Sequence, residues 1–155
     1  MSAPSVSRPL PAAALDAGAS AVNRLVWDDA LNIGLPLIDE QHKALFGIIG
    51  KLVADPRAAL QSESVVDRLT ELGKALNQHF TIEESLMRQL GMADEEFRAH
   101  REDHSTILDQ YAEICILSMS HPTKLVKDIA PQVIRWALEH VTEFDHGIKK
   151  YLPVV

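Results

Sequence analysis

The chain has 155 residues, 46% of them hydrophobic but only 5% aromatic, with a formal charge of −7: one domain's length, an aliphatic core, and an acidic balance that weighs against phosphate backbones and anionic membrane surfaces as partners. The single cysteine, Cys115, rules out an intrachain disulfide, and no run reaches the roughly 18 apolar residues of a membrane span. With no signal-peptide core after Arg8, Pro9 and Pro11, the expectation is a cytoplasmic protein with no nucleic-acid and no membrane partner.

Residues 1–24 are rich in Ala, Ser, Pro and Gly without periodicity and read as a flexible N-terminal tail; residues 25–155 read as the folded domain. From Val26 to Ile38 apolar residues are broken by Gly34 and Pro36, which predicts an extended arm packed on the helical part of the chain. A first helix is expected over Pro36–Ala54, with Ile38, Leu45, Ile48, Ile49 and Leu52 on one face and Asp55–Pro56 as its stop. The second spans Ser62–Leu90, its inner stripe being Val65, Leu69, Leu72, Leu76, His79, Phe80, Glu83 and Met87, with Gly91 as C-terminal cap. The third starts at Asp94 as N-cap and carries Phe97, His100, His104, Ile107, Tyr111 and Ile114 inward, with Cys115 and Leu117 at the margin of that face, ending before His121–Pro122. The fourth covers Thr123–Tyr151; Pro131 either sits in the first turn of the main helix or kinks a longer one. Its inner face is Val133, Trp136, Ala137, His140, Val141, Phe144 and Ile148. Four amphipathic helices with short links predict an all-α, up-down-up-down antiparallel four-helix bundle with an N-terminal extended arm.

Five histidines and two carboxylates are spread over those four helical segments: His42, His79, Glu83, His100, His104, His140 and Asp145. Several buried imidazoles without a partner for each nitrogen would be costly. A nitrogen- and oxygen-donor set without sulfur suits iron, manganese or zinc, and seven donors are too many for one ion and about right for two. His79 and Glu83, like His100 and His104, are four residues apart and share a helix face. His42 stands alone beside the first apolar stripe. On the fourth helix spacing leaves two choices. His140 and Glu143 are an easy helical pair, whereas His140 and Asp145 point about 140° apart in a regular α-helix and converge only from different sides or across a locally widened turn.

The stretches Trp27-Asp28, Ile33-Gly34, Ile38-Asp39-Glu40-Gln41-His42-Lys43-Ala44-Leu45, His79-Phe80-Thr81-Ile82-Glu83-Glu84, His100-Arg101-Glu102-Asp103-His104 and Trp136-Ala137-Leu138-Glu139-His140-Val141-Thr142-Glu143-Phe144-Asp145, in that order, resemble the hemerythrins, and more closely the bacterial hemerythrin domains. The resemblance runs from about residue 25 onward and fills all seven ligand positions. It selects Asp145 over Glu143. It implies a non-haem centre of two iron ions with an oxo or hydroxo bridge. His100, His104 and His140 would complete one iron, His42 and His79 would hold the other with a place left for dioxygen, and Glu83 and Asp145 would bridge. Leu45, Phe80, Trp136 and Val141 flank these ligands in sequence and are expected to line a dry ligand pocket. One departure stands out: Met92 follows Leu90-Gly91 where the family often has an aromatic residue, and methionine offers no strong hydrogen bond.

The reading is therefore reversible dioxygen binding, for transport, storage or sensing, rather than an enzyme. The alternatives are a di-iron enzyme acting on peroxide or nitric oxide, and an iron- or oxygen-responsive interaction module. Other polar residues are read as structural: His121 solvated in a loop, His146 turned roughly 100° from Asp145, Glu84 facing solvent, Cys115 a small buried hydrophobe, and Lys149 and Lys150 at a helix end where positive charge is favourable.

Overall fold

A computed structural model describes residues 25–54, 62–121 and 130–154. Among these residues every regular element is helical and there is no strand. A 3₁₀ turn at Asp29–Leu31 precedes α1 (Pro36–Ala54), α2 (Ser62–Gln89), α3 (Asp94–Ser120) and α4 (Ala130–Glu139), and α4 continues as a π-helical turn (His140–Phe144) and a 3₁₀ segment (Asp145–Tyr151). The expected tail, the stop at Asp55–Pro56 and the stretch from Pro122 to Ile129 lie outside the described residues.

α1 packs on α2 and on α4, and α2 packs on α3. Their directions follow from which residues meet. His42, early in α1, lies 3.1 Å from His79, late in α2. His100, early in α3, lies 2.8 Å from Glu83, near the end of α2. His140, which ends the run from α4, bonds Asp103 early in α3. Neighbours therefore run antiparallel, and the fold is the expected four-helix bundle.

The helix ends obey local chemistry. Pro36 opens α1, where its fixed φ suits a helix start and its missing N–H costs nothing. α2 ends in a Schellman motif: Gly91 takes φ +76°, its N–H donates to Arg88 O, and Met92 N–H donates to Met87 O. In that motif the residue after the glycine packs back on the helix, and Met92 and Met87 share one apolar cluster. α3 departs from expectation at its start: Ala93, not Asp94, is the N-cap and supplies no side-chain bond. Asp94, Glu95 and Glu96 instead fill the first turn, where negative charge meets the positive end of the helix dipole. At the other end of α3 Leu117 is exposed rather than inward, and Ser118 takes the buried position four residues after Ile114. As described, α4 begins at Ala130 with Pro131 its second residue; the residues before it, on which the choice between the two arrangements turns, lie outside the described residues.

The core is layered. A large apolar cluster includes Leu45, Ile49, Leu69, Leu72, Leu76, Ile107, Val133 and Leu138; a smaller one holds Ile33, Ile38, Met87, Met92 and Ile148. Each such fully buried aliphatic side chain contributes roughly 1.5–3 kcal/mol over an exposed one. Between the two clusters every helix changes character. His42 falls between Ile38 and Leu45, His79 and Glu83 between Leu76 and Met87, and His140 and Asp145 between Leu138 and Ile148. The bundle thus carries one polar slab closed above and below by hydrocarbon.

The arm seals one side. The buried Asp39 carboxylate accepts from the backbone N–H groups of Ile33 (2.8 Å) and Gly34 (3.1 Å), with Gly34 at φ +91°. Trp27 Nε1 donates to Asn32 Oδ1 at 3.2 Å, and the Trp27 ring lies 5.9 Å from that of His42. His146 Nε2–H donates to Leu31 O at 3.2 Å, tying the C-terminal segment to the same arm.

Candidate metal centre

The polar slab gathers all seven residues singled out in the sequence. His42, His79, Glu83, His100, His104, His140 and Asp145 are each at most 5% exposed. Their donor atoms form two overlapping groups in which every atom lies within 4.8 Å of the others: Glu83, His100, His104, His140 and Asp145 in one, and His42, His79, Glu83 and Asp145 in the other.

The two carboxylates divide their oxygens between the groups. Glu83 Oε1 lies 2.8 Å from His100 Nε2 and 3.2 Å from His104 Nε2, while its Oε2 lies 3.1 Å from His79 Nε2. Asp145 Oδ1 lies 3.0 Å from both His100 Nε2 and His140 Nε2, while its Oδ2 lies 2.9 Å from His42 Nε2. Each carboxylate therefore offers one oxygen to a three-histidine side and the other to a two-histidine side.

Asp145 reaches this position because the helix widens. Its backbone N–H donates to the carbonyls of His140 and Val141 at the end of the π-helical turn, which brings residues five apart onto one face. Glu143, the competing choice from spacing, is exposed.

Partners outside the centre set the imidazole tautomers. Nδ1 of His79 donates to Gln41 Oε1 (2.8 Å), Nδ1 of His104 to Glu84 Oε1 (2.9 Å) and Nδ1 of His140 to Asp103 Oδ2 (2.5 Å). With Nδ1 protonated, the Nε2 lone pair of each ring points inward, as a metal ligand requires. Ring packing holds them further: Phe80 stacks on His104 at 3.9 Å and Phe144 on His140 at 5.6 Å. Sequence reasoning missed these supports. Glu84 does not face solvent; it is 26% exposed and bonded to His104. Gln41 and Asp103 sit next to a ligand in sequence, and that adjacency was the available signal. Of the residues set aside, His121 is exposed and bonds Ser120, Cys115 is half-buried rather than buried, and Lys150 pairs with Glu96 at 2.6 Å.

The donors fit a pair of cations. Without them, burial opposes charge on His42, His100, His140, Glu83 and Asp145, yet their mutual contacts prevail. His42 is raised to about 9: burial lowers it, but hydrogen bonds and charge from Asp145 and Glu83 outweigh that. His100 and His140 are raised against the same burial, His100 through Asp145 and Glu83 and His140 through Asp145, Asp103 and Glu83. Glu83 and Asp145 are held low despite burial, Glu83 by the imidazoles around it and Asp145 by His140 and His100. The pattern is a buried dianion demanding positive charge, which protons satisfy poorly. Glu83 Oε2, His100 Nε2, His140 Nε2 and both Asp145 oxygens find no properly directed hydrogen bond. His42 Nε2 and His79 Nε2, two inward nitrogens, face each other at 3.1 Å, close to the roughly 3 Å that separates neighbouring ligands about 2.1 Å from one metal.

Beside the two-histidine side lies a cavity of about 30 Å³, room for a diatomic molecule. Leu45, Phe80, Trp136 and Val141 line it together with His42, His79, Asp145 and, from the three-histidine side, His140. Met92 does not; it belongs to the apolar cluster on the other side of the slab.

Residues 34–152 match the family described as the hemerythrin HHE cation binding domain. The chain is 28% identical over 123 residues to a bacteriohemerythrin of Pseudomonas paraeruginosa, covering 79% of this chain and 78% of that one. It is 24% identical to a bacteriohemerythrin of Clostridium acetobutylicum, covering 77% of this chain and 95% of the relative. It is also 24% identical to a myohemerythrin of Theromyzon tessulatum, covering 79% and 89%. A family match that runs from the arm through the last helix and takes in every donor of the polar slab leaves one conclusion: the chain belongs to the hemerythrin family.

Proposed function

We propose that this protein binds dioxygen reversibly at a non-haem centre of two iron ions joined by an oxo or hydroxo bridge. In this reading His100, His104 and His140 hold one iron, His42 and His79 hold the other, and Glu83 and Asp145 bridge them. The observation that carries it is the division of carboxylate oxygens between three histidines and two. Counting both carboxylates, one iron would receive five protein donors and the other four; the cavity meets both histidines of the poorer side and only His140 of the richer.

When bound, a diferrous pair supplies the two electrons that dioxygen takes up on binding and returns on release. The chain's own residues make that exchange reversible. Phe80, Val141 and Leu45 keep water from the poorer side, and exclusion of water and anions protects the reduced centre from irreversible oxidation. Gln41, Glu84 and Asp103 fix the rings so that the donor set does not rearrange between states. The same reading takes residues 25–155 as the binding domain, residues 1–24 as an accessory tail, and the cytoplasm as the place of action. No helix among the described residues is long and apolar enough to cross a membrane.

The test is optical. Protein loaded with ferrous iron should develop visible charge-transfer bands in air and lose them when oxygen is removed, over repeated cycles. Bands that bleach while peroxide or nitric oxide is consumed would replace this reading with an enzyme.

A further inference from the structure

The small cavity beside His42 and His79 has thirteen lining residues among those described, and twelve of them are buried. The exception is Trp136, which is half-buried. A second, larger hollow of about 210 Å³ opens between α3 and the end of α4, lined by Asp103, Thr106, Gln110, Glu139 and Glu143 among others. Three residues line both: Ile107, Trp136 and His140. They form the partition between the interior cavity and the outer cleft.

Two of the three are fixed. Ile107 is 2% exposed within the large apolar cluster, and His140 is tied to Asp103 and stacked on Phe144. Trp136 is neither fully buried nor bonded. Its Nε1 is shielded from solvent yet has no hydrogen-bond partner, whereas a buried indole N–H ordinarily finds one. No directional bond latches the ring, so only packing opposes its rotation.

We propose that Trp136 is the gate through which small ligands reach the buried cavity, with the α3–α4 cleft as its outer vestibule. The proposal rests on the dioxygen-binding reading for its physiological ligand, but the passage itself concerns any molecule small enough for the cavity. The vestibule also selects by charge. Asp103, Glu139 and Glu143 give its lining a negative sign, which lowers the local concentration of anions and leaves neutral diatomics unaffected. Anions that would lodge at an oxidised centre are slowed where dioxygen passes.

The experiment is stopped-flow ligand binding to the iron-loaded full chain, with azide added to the diferric form and nitric oxide to the diferrous form. Trp136→Ala should speed both by on the order of tenfold. Gln110→Trp, which fills the vestibule from an exposed position, should slow both by a similar factor. Replacing Glu139 and Glu143 together by Gln should raise the azide rate relative to that of nitric oxide, and lessen its dependence on salt. A metal-independent readout is hydrogen exchange of the Trp136 indole proton in ¹⁵N-tryptophan-labelled protein, which Gln110→Trp should slow. Rates within about twofold of wild type in both Trp136→Ala and Gln110→Trp, at unchanged iron content, would overturn the gate. Should Trp136→Ala fail to hold iron, Gln110→Trp decides alone, and unchanged azide rates and indole exchange there reject it. Absence of oxygen-dependent bands would defeat the functional reading instead, since azide still reports passage into the diferric protein.

Discussion

The backbone N–H of Asp145 donates to the carbonyl of His140, five residues earlier, and its side-chain Oδ1 lies 3.0 Å from His140 Nε2. In a regular α-helix these side chains would point about 140° apart. The π-helical turn between them absorbs one residue and turns Asp145 inward, leaving Glu143 exposed. Such turns recur at functional sites because they re-aim side chains at the expense of backbone regularity.

That relationship predicts an asymmetry between two neighbouring carboxylates. Asp145→Ala should abolish the paired site, leaving at most one iron per chain by elemental analysis. Glu143→Ala should keep both irons. Equal losses would show that the widened turn does not choose the ligand.

The partners of the imidazole Nδ1 atoms lead to a second expectation. Glu84→Ala and Asp103→Ala should each lower metal affinity by about 10–100-fold in competition with a chelator, the usual effect of removing a hydrogen bond that orients a ligating histidine. Circular dichroism should remain helical, because both side chains lie at the margin of the bundle, 26% and 28% exposed. Unchanged affinity in both variants would mean that ring packing by Phe80 and Phe144 alone holds the geometry.

Acidity should act in opposite senses on metal-free and loaded protein. In the metal-free chain His42 is raised from 6.5 to about 9, and His100 and His140 are also raised. Their stabilisation is fully present below the unfolded value near 6.5 and is lost as pH rises through the folded values. Glu83 and Asp145 are lowered from 4.5 and 3.8, so their share is present above those unfolded values and is lost as pH falls through the folded ones. The metal-free protein should therefore be most stable between about pH 4.5 and 6.5 and weaken toward pH 9. Metal must displace the same protons, so its affinity should climb across pH 6.5–9. Urea midpoints with chelator and metal titrations at several pH values test both slopes; parallel slopes would refute the linkage.

Away from the centre, Gly73 is placed for close approach. A Cβ there would lie 2.3 Å from Tyr111 Oη, which donates to Leu69 O at 2.6 Å. Gly73→Ala should cost about 1–3 kcal/mol by overpacking in urea unfolding. The cost should largely vanish in a Tyr111→Ala background, the coupling expected of residues in contact. An additive cycle would contradict the steric account.

The sequence by itself determined the helices and their inner faces, because an apolar residue every three or four positions is enough to bury a stripe, and it determined that His79, Glu83, His100 and His104 sit on those stripes, with His42 beside the first. Its local capping signals were weaker: Asp94 looked like a cap and became a first-turn residue, and Leu117 looked inward and is exposed. Only the tertiary structure decided what depends on the helices meeting. Residues four apart on one helix are related by the helix itself, but Glu84 finds His104, and Asp103 finds His140, across interfaces whose register no local pattern encodes. The same holds for Asp145. The widened turn trades ideal helical hydrogen bonds for a carboxylate placed among four imported imidazoles and a neighbouring one, a balance struck by the assembled slab and not by the ten residues of sequence around it.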